Sequence, residues 1–172
     1  MAENNGLAVI LAEDQYEDLE LQYPRLRLQE AGFRVQVAGP KKGATYTSKH
    51  GYPVQADVAF SEVDPKMVKV LVVPGGYAPD RLRRNEACLG LVSGAVEAGA
   101  VLGAICHAGW VPISARVVKG KRLTSVPAIR DDLRNAGAEW VDEPCMTDGK
   151  FVTAQGPKDL PAFLRAILAL VQ

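Results

Sequence analysis

A cysteine followed at once by a histidine, Cys106-His107, is the pair in this sequence whose chemistry is easiest to name. It ends an apolar run, Val101-Leu-Gly-Ala-Ile105, and opens a stretch of small residues, Ala108-Gly109. A buried strand that turns sharply into a helix exposes the side chain at the turn and sets it at a helix N-terminus. Backbone N–H groups there stabilise a thiolate, so the expectation is a lowered thiol pKa and a nucleophilic sulfur at Cys106. His107 has the chemistry of a general base or acid beside it, although adjacent side chains need not face each other. Free cysteines are more often small buried hydrophobes. That is the reading for Cys88, on an apolar helix face, and for Cys145, in a strand.

Carboxylates gather after the first apolar run, at Glu13, Glu17 and Glu20. Glu17 and Glu20 are three residues apart and so share a side of a helix. One of them could lean over the sheet toward Cys106 and exchange a proton with it, though a solvated helix face is the commoner use of such spacing. Gly75-Gly76 closes another apolar run, with Asp80 shortly after. Two glycines at a strand end allow a turn whose N–H groups face a ligand, as an oxyanion hole requires, or simply a tight turn. His50 lies in a polar turn and reads as a surface residue. Two histidines and three cysteines without a Cys-x-x-Cys pair make neither a metal cluster nor a disulfide framework. No phosphate loop and no Gly-x-Gly-x-x-Gly follow the first strand, which disfavours nucleotide binding. No cofactor or metal is expected.

The elements that must position these groups follow from hydrophobic patterning. Leu7–Ala12, Val70–Pro74 and Val101–Ile105 are continuously apolar and read as strands buried on both faces. Glu17–Ala31 reads as a helix with Leu19, Tyr23 and Leu26 inward, stopped by Gly32, with Pro24 predicting a kink or a late start. Phe33–Ala38 is the next strand. Residues 43–60 read as a hairpin-like excursion around His50-Gly51, and Asp64-Pro65 as a capped helical turn. Asn85 caps a helix to about Ala98 with Leu89, Val92 and Val96 on one face. Ala108–Ala115 and Pro127–Ala136 are short helices. Asp148-Gly149 turns a hairpin, and a last helix buries Leu160, Phe163, Leu164, Ile167 and Val171. Strands alternating with helices imply an α/β fold with a mostly parallel sheet covered on both sides, whose ligands bind beyond the carboxyl ends of the strands. No repeat or linker divides residues 1–172, so one domain is expected.

Lys plus Arg equals Asp plus Glu at 20 each. A zero net charge gives no electrostatic footprint for nucleic acid or an anionic membrane and does little to repel like copies. The start Met1-Ala-Glu-Asn-Asn5 lacks a basic leader, and the first apolar run is too short to cross a bilayer. Together with unpaired cysteines this implies a reduced, cytoplasmic domain.

At these residues the chain resembles the PfpI family of the ThiJ/PfpI superfamily, the intracellular cysteine-peptidase-like and stress-response proteins. The matching segments are Tyr16-Glu-Asp-Leu-Glu20 with Tyr23-Pro24, Lys49-His-Gly-Tyr-Pro53, and Val72-Val-Pro-Gly-Gly76 with Ala78-Pro79. Ala104-Ile-Cys-His107, Ile129-Arg-Asp-Asp132 and Asn135-Ala-Gly-Ala-Glu-Trp140 continue the match over nearly the whole chain. The resemblance implies a three-layer flavodoxin-like sandwich related to class I glutamine amidotransferase domains, and a homodimer or larger homo-oligomer. It implies a reactive Cys106, a conserved acid beside it at Glu20, and an oxyanion hole from Gly76 and the His107 N–H. In peptidase-like members a neighbouring subunit supplies an acid to the histidine. That position falls on Asp80, where the family usually has Glu. Trp110 and Val126 depart from the family pattern and alter the pocket wall. The implied activities are a cysteine-dependent hydrolase of peptides, or a glyoxalase or deglycase acting on methylglyoxal-type aldehydes or their protein adducts through Cys106 and Glu20. A third is a non-catalytic redox sensor or chaperone with an oxidisable Cys106.

Overall fold

A computed structural model describes residues 5–171 of the chain. Residues 1–4 and 172, and with them most of the Met1–Asn5 segment inspected for a leader, lie outside the described residues. The elements begin with β1 (Leu7–Leu11), α1 (Asp18–Glu30), β2 (Arg34–Gly39), β3 (Thr45–Thr47), β4 (Pro53–Gln55) and β5 (Val58–Ala59). Then come β6 (Val68–Val73), α2 (Ala78–Leu82), α3 (Glu86–Glu97), β7 (Val101–Ile105) and α4 (Trp110–Ser114). The last part holds β8 (Arg122–Leu123), α5 (Arg130–Asn135), β9 (Glu139–Trp140), β10 (Cys145–Asp148), β11 (Phe151–Ala154) and α6 (Leu160–Ala169).

The central sheet has the order β10-β11-β7-β6-β1-β2-β5. Its ladders are parallel except at the β10–β11 edge, where the Asp148-Gly149 hairpin reverses the chain. Every residue of β1 and β7 is buried, which requires cover on both faces of the sheet. Helix α1 packs against α6, while α4 packs against α2, α3 and α5. This is the α/β flavodoxin-like arrangement. From β1 the strand order runs one way through β2 and β5 and the other way through β6 and β7. The β1/β6 boundary is therefore the switch point at which an open parallel sheet leaves a crevice.

Three expectations need adjustment. The inward face of α1 is not Leu19, Tyr23 and Leu26. The helix buries Glu20, Leu21, Pro24 and Leu28, and leaves Leu19 and Leu26 more than half exposed. Counting apolar residues at helical spacing misplaced the stripe because its first member is a carboxylic acid. Pro24 neither delays nor interrupts the helix, which runs unbroken over Asp18–Glu30. It removes one N–H, and the carbonyl that would have accepted it is that of Glu20. In α3 the buried stripe is Cys88, Leu91, Val92 and Ala95, with Leu89 and Val96 at its margin. Cys88 is fully buried, and Cys145 is half-buried against the core. No helix among the described residues is long and apolar enough to cross a membrane.

Candidate active site

Three strand ends meet at the switch point. Strand β7 delivers Cys106 with φ near +61°, a left-handed conformation that a side-chain-bearing residue adopts only when its surroundings impose it. The Cys106 carbonyl accepts the Val126 N–H at 3.3 Å. The chain then tightens into a 3-10 turn over Cys106–Gly109 and runs into α4. This is the expected elbow, with sulfur at its apex.

Strand β6 ends in the glycine pair. Gly76 has φ near +77°, and a Cβ there would lie 2.5 Å from the Gln15 carbonyl oxygen and 2.6 Å from the Glu17 nitrogen. Only glycine allows the β1 and β6 loops to approach so closely. At Gly75 a Cβ would lie 2.5 Å from Glu20 Oε2 and 2.8 Å from the Cys106 Cβ. Acid and thiol therefore crowd the same point.

Glu20 reaches that point from α1. Its N–H donates to the Glu17 carboxylate at 2.9 Å, so Glu17 caps the helix. Its own Oε2 accepts the Gly75 N–H at 2.7 Å. Gly75, expected beside Gly76 as an oxyanion donor, thus has its N–H committed to Glu20 and acts as a clamp on the acid. Glu20 is fully buried and Oε1 has no partner of ordinary hydrogen-bond geometry. Burial, the largest influence, raises its pKa to about 7, with the Glu17 charge adding to the rise. The Gly75 N–H, Lys49 and the Cys106 thiol oppose it.

The expected lowering of the Cys106 pKa is reversed. Burial first, and the Glu20 carboxylate second, push the thiol up to about 11, against the pull of the His107 and Gly76 N–H groups and of Lys49. The turn behind Cys106 is too short to offset the loss of water. Acid and thiol each resist losing a proton while the other is charged, so at neutral pH the sulfur keeps its proton and the acid stands near the midpoint of its own titration. His107 does face the sulfur, with Nδ1 at 3.3 Å from Sγ. Burial and then Lys49 lower its pKa, which keeps the imidazole neutral.

Around these groups lies a cavity of about 770 Å³. Gln15, Glu17, Glu20, Lys49, Gly76, Tyr77, Cys106, His107, Trp110 and Pro157 line it. The Trp110 ring sits 5.3 Å from His107, its indole N–H donates to Asp132 at 2.8 Å, and Arg83 covers it at 5.7 Å. Trp110 is thereby a fixed wall. Asp80 does not line the cavity; its carboxylate pairs with Arg84 at 3.0 Å. Sequence reasoning passed over Gln15, Lys49, Tyr77 and Pro157. Lys49 sits in the turn between β3 and β4, which the Lys49 N–H to Tyr16 carbonyl bond and the Tyr16 hydroxyl to Tyr52 carbonyl bond fasten to the loop between β1 and α1. Its signal was its place in a turn and in the Lys49–Pro53 segment of the family resemblance, which assigned it no role.

His50 is exposed, and its Nδ1 lies 2.8 Å from Asp18 Oδ2. Glu17 completes with them a group whose ligand atoms lie within 4.8 Å of one another. Ser48 donates to Asp18 at 2.6 Å, and Glu17 is the cap of α1. These bonds account for the cluster as the anchor of the hairpin.

The chain has many relatives. It is 44% identical over 164 residues to a deglycase of Pyrococcus abyssi (strain GE5 / Orsay), covering 95% of this chain and 98% of the relative. It is 37% identical over 163 residues to YraA of Bacillus subtilis (strain 168), whose name carries a provisional cysteine-protease designation, covering 95% and 96%. Among solved structures, the DJ-1/ThiJ/PfpI-like and ferritin-like two-domain protein of Anabaena variabilis superposes with a TM-score of 0.93 at 38% identity. That match covers 95% of this chain and 47% of the two-domain one. DJ-1beta of Drosophila melanogaster superposes with a TM-score of 0.89 at 26% identity, covering 96% and 90%. The DJ-1/PfpI family model matches residues 7–170, a span that holds the elbow, the glycine pair and the buried acid, and the chain belongs to that family.

Proposed function

We propose that the protein is a cysteine-dependent enzyme for reactive carbonyl compounds, either small 2-oxoaldehydes or the adducts they form on proteins. The observation that carries this reading is the convergence of the Cys106 thiol and the buried Glu20 carboxyl on one point beside Gly75. An acid held near pKa 7 exchanges protons in both directions at neutral pH. Sulfur adds to the aldehyde carbon, the carbonyl π pair moves onto oxygen, and the thiol proton passes to Glu20. The N–H groups of Gly76 and His107, which point at the sulfur, hold the new oxyanion. On a 2-oxoaldehyde Glu20 hands that proton to the oxyanion, takes the C1 proton and delivers it to C2, while the C1 hydroxyl proton passes to the C2 oxygen. C1 is oxidised as C2 is reduced, so no outside oxidant is needed. The resulting thioester of a 2-hydroxy acid is cleaved by water, which restores the thiol. Relatives named deglycase support this reading.

A second reading, a peptidase-like hydrolase, is favoured by the 3.3 Å contact between His107 and Cys106 and by the name of YraA. It needs an acid for His107, and within one chain Asp80 is turned to Arg84. A second copy would have to bring that acid. The test is incubation with methylglyoxal and with casein and short peptides, using Cys106→Ser and Glu20→Gln variants alongside. Aldehyde consumption lost in both variants, with peptides intact, is the expected result. Peptide cleavage lost in Cys106→Ser and kept in Glu20→Gln would replace it with the hydrolase. No turnover, with peroxide adding oxygen at Cys106 alone, would make the thiol a sensor.

A further inference from the structure

We propose that Lys49 is the recognition residue for an anionic group on the carbonyl substrate, so that the site prefers 2-oxoaldehydes that carry a carboxylate over neutral ones. The inference deepens the carbonyl reading and rests on it. Apart from His107, which is neutral, Lys49 is the sole basic side chain among the cavity-lining residues. It is exposed, on a turn tethered to the loop between β1 and α1 by the Lys49–Tyr16 and Tyr16–Tyr52 bonds. Among the described residues, no carboxylate lies within 4 Å of its ammonium. Its positive field nevertheless reaches Glu20, Cys106 and His107 alike, and it lines the same cavity as they do.

The two acids that line the cavity do not forbid an anion. Glu17 accepts the Glu20 N–H at the start of α1, where the helix dipole offsets its charge. Glu20, raised to about 7, carries only part of a negative charge at neutral pH. The remaining polar groups that face the carbonyl, the Gly76 and His107 N–H groups, are donors. A cavity of about 770 Å³ also encloses ligands far larger than a three-carbon aldehyde, which leaves space for a charged tail between Cys106 and Lys49.

Two alkylating agents of nearly equal shape test this without relying on turnover. Iodoacetate is anionic and iodoacetamide neutral, and both react with the same thiolate, so the ratio of their rates at Cys106 cancels any change in thiolate fraction. The rates are read by mass spectrometry of the Cys106 peptide. The expected result is that Lys49→Met lowers the iodoacetate-to-iodoacetamide ratio about fivefold, that Lys49→Arg keeps it, and that raised salt shrinks the difference. A ratio unchanged in Lys49→Met overturns the proposal. Methylglyoxal turnover of the parent protein is measured beside it. Its absence would sink the carbonyl reading alone, because the alkylation ratio reports on Lys49 in either case.

Discussion

Replacing Glu20 with glutamine should stabilise the protein at alkaline pH while disabling it. Glu20 ionises near 4.5 in an unfolded chain and near 7 in the fold. Between those values the native state holds a proton that the unfolded state has released, so stability falls as pH rises through the interval. The penalty is absent below pH 4.5 and complete above about 7. A difference of 2.5 pKa units corresponds to about 3 kcal/mol. Glutamine has the same shape, its carbonyl oxygen can accept the Gly75 N–H, and it never ionises. The assay is urea denaturation of parent and Glu20→Gln proteins at intervals from pH 4.5 to 8. The two stabilities should run close together at the acid end and diverge to about 3 kcal/mol at pH 8 in favour of the variant. In a chain of this length that is roughly a 10 °C shift in Tm. A difference that stays flat with pH would refute the reasoning, since it would mean that Glu20 titrates alike in both states and holds no proton for the thiol.

Three further outcomes follow from the same geometry. Glu20→Gln should also lower the pKa of Cys106 by removing the adjacent carboxylate, read as iodoacetamide reaction about tenfold or more faster at about pH 9, where the parent carboxylate is fully ionised; an unchanged rate would mean that the two groups are not coupled. Gly76→Ala, at φ near +77° with backbone 2.5 Å from the new methyl, should lose roughly 2–4 kcal/mol in denaturant or fail to fold; near-parent stability would show that the β1 and β6 loops can part. Leu28→Ala should lose roughly 2–5 kcal/mol, against at most about 0.5 for Leu26→Ala; equal losses would restore the apolar stripe that spacing alone suggests.

Apolar runs made the strands legible, because a strand buried on both faces has almost no other way to be written. Leu7–Leu11 and Val101–Ile105 lie where hydrophobicity puts them, and Asp148-Gly149 turns as its residues require. The elbow was legible too, since an apolar strand that runs into Cys106 with small residues behind it leaves the side chain at an apex. Helix α1 was misread because its buried stripe starts with Glu20 and includes Pro24, both of which an apolar count sets aside. The same buried acid was readable as important only through family resemblance. Lys49 stayed hidden because its place depends on hydrogen bonds from Tyr16 to a hairpin more than thirty residues away, and no local pattern encodes such a bond.

The reversed cysteine pKa bears directly on how such a site can be reactive without being indiscriminate. A thiol poised as a free thiolate at pH 7 would meet every electrophile and oxidant that entered a cavity of this size. Here burial and Glu20 keep the proton on the sulfur, so the resting sulfur is a poor nucleophile. Addition becomes favourable when the incoming carbonyl takes up negative charge on oxygen, against the Gly76 and His107 N–H groups, as Glu20 takes the proton. Activation and substrate binding are then one event. Gly75 is the hinge of this arrangement: its missing side chain makes room for acid and sulfur, and its N–H keeps the acid from turning away. A methyl group at that position would separate the two functions, leaving a buried acid with nothing to exchange and a thiol with no acceptor for its proton.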